Sequence, residues 1–142
     1  MATDQAAAST SSGSTSPAVA PAPSSLGAAA VNFAVGQLGM PYVWGGAAPG
    51  GFDCSGLVSW AFAQAGRSGL PHYTGSLWTS GTQIPSQADL APGDLVFFHG
   101  LGHMGIYMGH DQFVHAPHTG DVVKISLLSA YRGYVGAVRS SG

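Results

Sequence analysis

The sequence predicts an α+β domain in which N-terminal helices pack on an antiparallel sheet of five to six strands. Apolar residues recur at helical spacing before Gly66, short β-rich runs follow one another after Asp94, and turn residues separate those runs. Helices first and consecutive strands afterwards make an α+β arrangement. The length of 142 residues suits one domain, and a hydrophobic share of 45% supplies a core.

Residues 1–24 are dominated by Ala, Ser, Thr, Gly and Pro, and such a composition buries too little apolar area to offset its ordering entropy. They read as a flexible tether, or equally as a tag joined to a natural linker, and they lack regularly spaced apolar anchors that would block a groove. The folded domain is expected to span 25–142. Its first helix uses Leu26, Ala30, Phe33, Ala34 and Leu38, with Ser24 as N-cap and Gly39 as stop. Pro41, Gly45, Gly46, Pro49, Gly50 and Gly51 mark a loop over 40–53. A second helix is expected from Cys54 to Ala65, burying Leu57, Val58, Trp60, Ala61 and Phe62, with Gly66 ending it. Residues 67–93 read as irregular, apart from a helical turn around Ser76 to Ser80. Strands are expected at 95–98, 104–108, 112–115, 122–125 and 134–138.

Composition removes several function classes. Four Lys and Arg and a net charge of -2 leave no basic patch, so nucleic acid is not an expected partner. No run of eighteen apolar residues exists, so no membrane-spanning helix is expected. A single cysteine excludes an internal disulfide and any multi-cysteine zinc site.

That cysteine, Cys54, follows a glycine-rich turn and opens an apolar helix. Unpaired amides and the helix dipole favour an anion there, so the thiol pKa is expected to fall from about 8.5 towards roughly 3.5–7.5. His103 opens a strand after Gly100-Leu101-Gly102, and His115 lies on the next strand. Opposed side chains on neighbouring strands stand about 4.5–5.5 Å apart at Cβ, so the two rings can face each other. A cysteine with separated histidines is the outline of a thiol hydrolase, in which one imidazole holds the thiol in a charged pair and later protonates the leaving amine. A buried, inert thiol is the bland alternative. His99, His103, His110, His115 and His118 also lie within twenty positions, but strand and turn geometry and the absence of His-Glu-x-x-His speak against a metal site. Tyr42 is placed to offer its hydroxyl to an oxyanion, Trp44 reads as a core aromatic, and Ser55 joins Tyr42 as a candidate substrate or oxyanion contact. Asp53 either caps the second helix or contacts a cationic amine of the substrate, and its carboxylate should point away from Cys54.

At these residues the chain resembles the NlpC/P60 family of cell-wall peptidases. The matching stretches are Pro41-Tyr42-Val43-Trp44-Gly45-Gly46, Phe52-Asp53-Cys54-Ser55-Gly56-Leu57-Val58, Pro92-Gly93-Asp94-Leu95-Val96-Phe97-Phe98, His103-Met104-Gly105-Ile106-Tyr107 and Val114-His115-Ala116-Pro117. The resemblance implies a papain-like core with permuted element order, Cys54 as nucleophile, His103 as general base and acid, and His115 as the residue orienting His103. It implies hydrolysis of peptidoglycan stem peptides, typically between D-γ-glutamyl and a diamino acid, without metal or other cofactor. It also implies action outside the cytoplasm, secreted or wall-associated, with the signal peptide removed from this chain; the domain is expected to be a monomer. The chain departs from the family where Arg and Gln commonly follow Leu70-Pro71; here the stretch reads His72-Tyr73-Thr74-Gly75-Ser76-Leu77-Trp78. Two other functions compete: a non-catalytic peptidoglycan-binding module of the same fold, and a related thiol amidase or acyltransferase. Competent residues at all three catalytic positions favour the peptidase.

Overall fold

The computed structural model describes residues 25–140. The proposed tether at 1–24, with the Ser24 cap, lies outside the described residues. Helix α1 (Ser25–Val35) and helix α2 (Cys54–Gln64) flank a short hairpin of β1 (Ala47–Ala48) and β2 (Gly51–Phe52). Helix α3 (Thr74–Trp78) and six strands follow: β3 (Thr82–Ile84), β4 (Leu95–Phe98), β5 (His103–Gly109), β6 (Gln112–His115), β7 (Lys124–Leu127) and β8 (Tyr134–Arg139). The strands form one antiparallel sheet in the order β3-β8-β4-β5-β6-β7. The α+β class and the six-stranded antiparallel sheet therefore match expectation.

Strand alternation divides the core between the two faces of the sheet. Leu95, Phe97, Met104, Ile106, Val114 and Val138 pack with the helical residues Ala30, Leu57, Val58, Ala61 and Phe62. Val96, Phe98, Phe113 and Ala137 face the other way, where Leu128, Tyr131 and Tyr134 cover them. Burying such Leu, Phe and Val side chains contributes about 1.5–3 kcal/mol each. Among the described residues the second layer has no α-helix, only a 3-10 turn at Leu128–Ala130. A chain segment between β7 and β8 closes it.

Several elements differ from the sequence reading, among them the loop expected over 40–53, which carries the β1–β2 hairpin. Helix α1 stops at Val35, and residues 36–39 tighten into turns before Gly39 adopts φ +89°. The run placed at 122–125 forms its strand at 124–127, because Val122 and Val123 pair with the chain ahead of α2. Val122 bridges Pro41, while Val123 exchanges backbone hydrogen bonds with Gly39 and Met40 at 2.9 and 2.8 Å. The 67–93 stretch supplies α3 at Thr74–Trp78 and the edge strand β3, whose pairing with β8 could not be read locally.

A buried ion pair anchors the start of β4. Asp94 is 1% exposed; its Oδ1 accepts from Arg139 Nε and its Oδ2 from the Arg139 guanidinium, both at 2.8 Å. Oδ2 also accepts from the Ala91 amide at 2.8 Å. Removing one partner leaves the other charge buried and unpaired. Arg139→Leu is expected to lower unfolding stability by about 2–4 kcal/mol, measured in urea, the exposure of Arg139 keeping the loss at the lower end of the buried-pair range. A change below about 0.5 kcal/mol would show that the pair is only a surface contact.

Candidate active site

The loop ahead of α2 shapes the helix start. Asp53 is the N-cap, and its Oδ1 accepts from the Gly56 amide at 2.7 Å, a bond worth about 1 kcal/mol. Its Oδ2 accepts from the Gly45 amide at 3.0 Å, which ties the glycine loop to the helix. Oδ1 also receives the Ser55 hydroxyl at 3.4 Å and meets His72 Nε2 at 2.7 Å. The capping reading of Asp53 thus describes the structure, and its carboxylate is occupied by protein donors. Gly56 has no alternative at its position, since a Cβ would collide with the Gly46 carbonyl oxygen.

Cys54 is the first residue of α2 and is half-buried. It lines an open cleft of about 470 Å³ with Tyr42, Trp44, Gly45, Asp53, Ser55, His72, Tyr73, Thr74 and Gly102. Amides of Ser55, Met104 and Cys54 itself stabilise the thiolate, but burial, aided by the Asp53 carboxylate, dominates and pushes the thiol above its ordinary value. This corrects the expected fall: the helix N-terminus favours the anion, and loss of hydration outweighs it. Tyr42 is likewise shifted up, by burial and then by Cys54 and Asp53, so its hydroxyl keeps its proton. Ser55 is buried with its hydroxyl turned to Asp53, leaving its amide on the sulfur side. Trp44 departs from the core reading: it is 86% exposed on the cleft rim.

The two histidines stand together. His103 Nε2 and His115 Nδ1 are 2.8 Å apart, on rings whose centroids lie 5.0 Å apart. The β5–β6 register pairs Ile106 with Val114. Continued by one residue, it sets Gly105 opposite His115, so His103 meets His115 diagonally rather than directly across. Gly105 makes room for this, since a Cβ there would approach His115 Cβ to 3.0 Å and Phe113 Cδ2 to 2.7 Å. Both rings occupy the sheet face turned away from α2, so the thiol reaches them around the start of β5, beside the Met104 amide. That strand start is held by a turn in which His99, Gly100 and Leu101 have φ of 55°, 59° and 74°. Thr74 Oγ1 donates to the Leu101 carbonyl at 2.6 Å, fastening α3 to the same turn.

Two neighbours of the pair escaped the sequence reading. His115 Nε2 lies 2.8 Å from Ser126 Oγ on β7. Tyr131 packs against both rings, at centroid distances of 5.9 Å to His103 and 5.2 Å to His115. Ser126 lay beyond the strand as drawn from sequence. With β7 correctly placed, side-chain parity would have exposed it. Tyr131 sits in an irregular segment and carried no local signal. Of the remaining histidines, His99, His110 and His118 are exposed, and among the described residues no group of three His, Cys, Asp or Glu side chains converges as a metal site would require.

Burial lowers His103 to about 4 and His115 to about 3. Coulombic repulsion between protonated forms adds to this, from His99 and His118 on His103 and from His103 and Lys124 on His115. Both rings and the thiol are therefore uncharged near pH 7. The unfolded chain holds more protons than the folded one from the ordinary histidine value of 6.5 down to about 4 and about 3. Stability consequently rises with pH across that window and is lost on acidification. Urea midpoints should fall from about pH 6.5 to about pH 4, and His115→Gln should flatten the slope. An equally steep slope in that variant would remove His115 as its source.

Comparison with known proteins places the chain in a family. Residues 39–137 match the model of the NlpC/P60 family. A probable endopeptidase of Mycobacterium tuberculosis, Rv2190c, is 51% identical over 98 residues, which are 68% of this chain and 25% of that protein. The murein DD-endopeptidase MepH of Escherichia coli is 38% identical over 120 residues, covering 78% of this chain and 44% of MepH. Among solved structures, the NlpC/p60 domain of the peptidoglycan hydrolase SagA aligns with a TM-score of 0.72 at 36% identity, covering 79% of this chain and 97% of that domain. The peptidoglycan hydrolase RipB of Mycobacterium tuberculosis aligns with a TM-score of 0.72 at 29% identity, covering 80% of this chain and 64% of RipB. The chain thus spans a quarter to under half the length of these two curated relatives.

Proposed function

The chain belongs to the NlpC/P60 family, and from that premise we propose that residues 25–142 are the catalytic domain of a cysteine endopeptidase acting on peptidoglycan stem peptides. The observation that carries the reading is a helix-borne thiol that lines an open cleft and meets the Met104 amide, next in sequence to His103, which is itself buried and hydrogen-bonded to His115. Relatives named as endopeptidases and peptidoglycan hydrolases support the substrate class.

Cys54 Sγ attacks the scissile carbonyl carbon while His103 Nδ1 takes the thiol proton. His103 Nε2 is engaged with His115, which leaves Nδ1 for this transfer. The oxyanion forms beside the amides at the start of α2 and the protonated Tyr42 hydroxyl. His103 then gives its proton to the leaving amine, and the C–N bond breaks to a thioester. Water attacks that thioester with His103 again as base, returning the thiol. His115 orients His103, and Asp53 holds the loop and helix that present the sulfur. Because protein donors occupy the Asp53 carboxylate, its part is structural rather than recognition of a substrate amine. The bond cut is that between D-γ-glutamyl and the diamino acid. The domain works as a monomer, without a cofactor, secreted or held at the cell wall, with residues 1–24 as its tether.

Digestion of defined muropeptides, read by mass spectrometry, tests this. The native chain should release the stem fragment ending at the γ-glutamyl carboxyl, and Cys54→Ala should release none. His103→Ala should lose roughly 10²–10⁴ in kcat and His115→Ala about ten- to a hundredfold. Retention on peptidoglycan by the native chain without any Cys54-dependent product would establish a binding module instead.

A further inference from the structure

The strand β7 carries an unexplained choice. It is an edge strand whose Lys124, Ile125 and Leu127 are exposed, and Ser126 is its one inward-turned residue. Ser126 pairs with Phe113 and faces the aromatic layer of Phe98, Phe113 and Tyr131. An apolar side chain is the default there. A hydroxyl stands in its place, 2.8 Å from His115 Nε2.

We propose that Ser126 is a positioning residue whose oxygen accepts from His115 Nε2–H and so sets the direction of the chain Ser126–His115–His103, leaving an unprotonated His103 Nδ1 for the Cys54 thiol. This deepens the peptidase reading and rests on it.

The argument is one of tautomers. A neutral imidazole has one N–H donor and one lone pair. Two rings joined Nε2 to Nδ1 and ending on a hydroxyl have two consistent directions. In one, His103 Nε2–H donates to His115 Nδ1, and His115 Nε2–H donates to Ser126 Oγ. His103 Nδ1 is then a free base. In the other, the hydroxyl donates, both rings invert, and His103 Nδ1 carries a hydrogen that cannot receive the thiol proton. The first direction also serves the intermediate, since an imidazolium on His103 keeps its Nε2–H bond to His115. The hydroxyl hydrogen has a place to go in that arrangement. A cavity of about 140 Å³ adjoins Ser126, and Asp121 and Lys124 line it with His118 and Tyr131. The Asp121 carboxylate on the wall of that cavity accepts from the Val122 amide at 2.8 Å and from Lys124 at 3.0 Å. The titratable or charged groups set around His115 are His103, His118, Asp121, Lys124 and Tyr131. Ser126 is the neutral one that meets its outer nitrogen.

The variants Ser126→Val and Ser126→Thr separate the hydroxyl from shape, since Val and Thr have nearly equal volumes and both suit an edge strand. On the full chain, Ser126→Val should lower kcat on a muropeptide about tenfold with KM unchanged, and Ser126→Thr should restore at least half the native rate. Nitrogen-15 NMR of the imidazoles should show both His103 and His115 as Nε2–H tautomers in the native chain, and a mixture at His115 in Ser126→Val. Equal rates in Val and native chains, equal losses in Val and Thr, or an Nδ1–H tautomer at His115 would each overturn the proposal. The NMR readout needs no substrate. A native chain that shows the stated tautomers yet cuts no muropeptide would refute the peptidase reading while leaving the role of Ser126 intact.

Discussion

The hydrogen bond between His103 and His115 organises the functional half of this molecule. It forms on the sheet face opposite α1 and α2, inside a layer of Phe98, Phe113 and Tyr131 rings. That layer removes water from both imidazoles and holds them uncharged. Burying two polar rings is tolerable because each bonds the other and the outer one ends on Ser126. Gly105 follows from the same constraint, since any side chain there would enter the space the rings need. The left-handed turn over His99 to Leu101 belongs to the same arrangement, because it starts β5 at His103.

The thiol arrives from the opposite layer. Helix α2 packs its apolar face on the sheet through Leu57, Val58 and Ala61, and its first turn meets the start of β5 at the Met104 amide. Asp53 makes that position rigid by bonding Gly45, Gly56 and His72 at once. The design carries an electrostatic cost: the carboxylate that fixes the cysteine also disfavours its ionisation. Amides of Ser55 and Met104 offset part of that cost. The outcome is an uncharged cysteine and an uncharged histidine, the resting state that the proposed mechanism starts from.

How much of this the sequence disclosed depended on range. Helix α2, its capping residue and the strands at 95–98 and 112–115 were legible because periodicity and turn chemistry are local signals. The pairing of His103 with His115 was legible as a possibility from alternation, although the true register is diagonal and needed Gly105. Ser126 and Tyr131 were not legible. The first depended on the placement of β7, shifted by two residues because Val122 and Val123 pair with Gly39 to Pro41 far upstream. The second lies in a segment with no periodicity. Trp44 was misread because an aromatic in an apolar stretch resembles core, whereas tertiary packing leaves it on the cleft rim. The thiol shift was misread for a related reason: a helix start can be seen in sequence, and desolvation cannot.

The charge state of Cys54 separates this account from one in which the cysteine and histidine rest as an ion pair. It can be measured by titrating the ultraviolet absorbance of the thiolate in the native chain against Cys54→Ala. An uncharged pair predicts no thiolate signal until the pH exceeds the ordinary cysteine range of about 8.5. A thiolate step at about pH 4, persisting through neutrality, would contradict it and would show that the two groups stabilise each other's charges more strongly than burial opposes them.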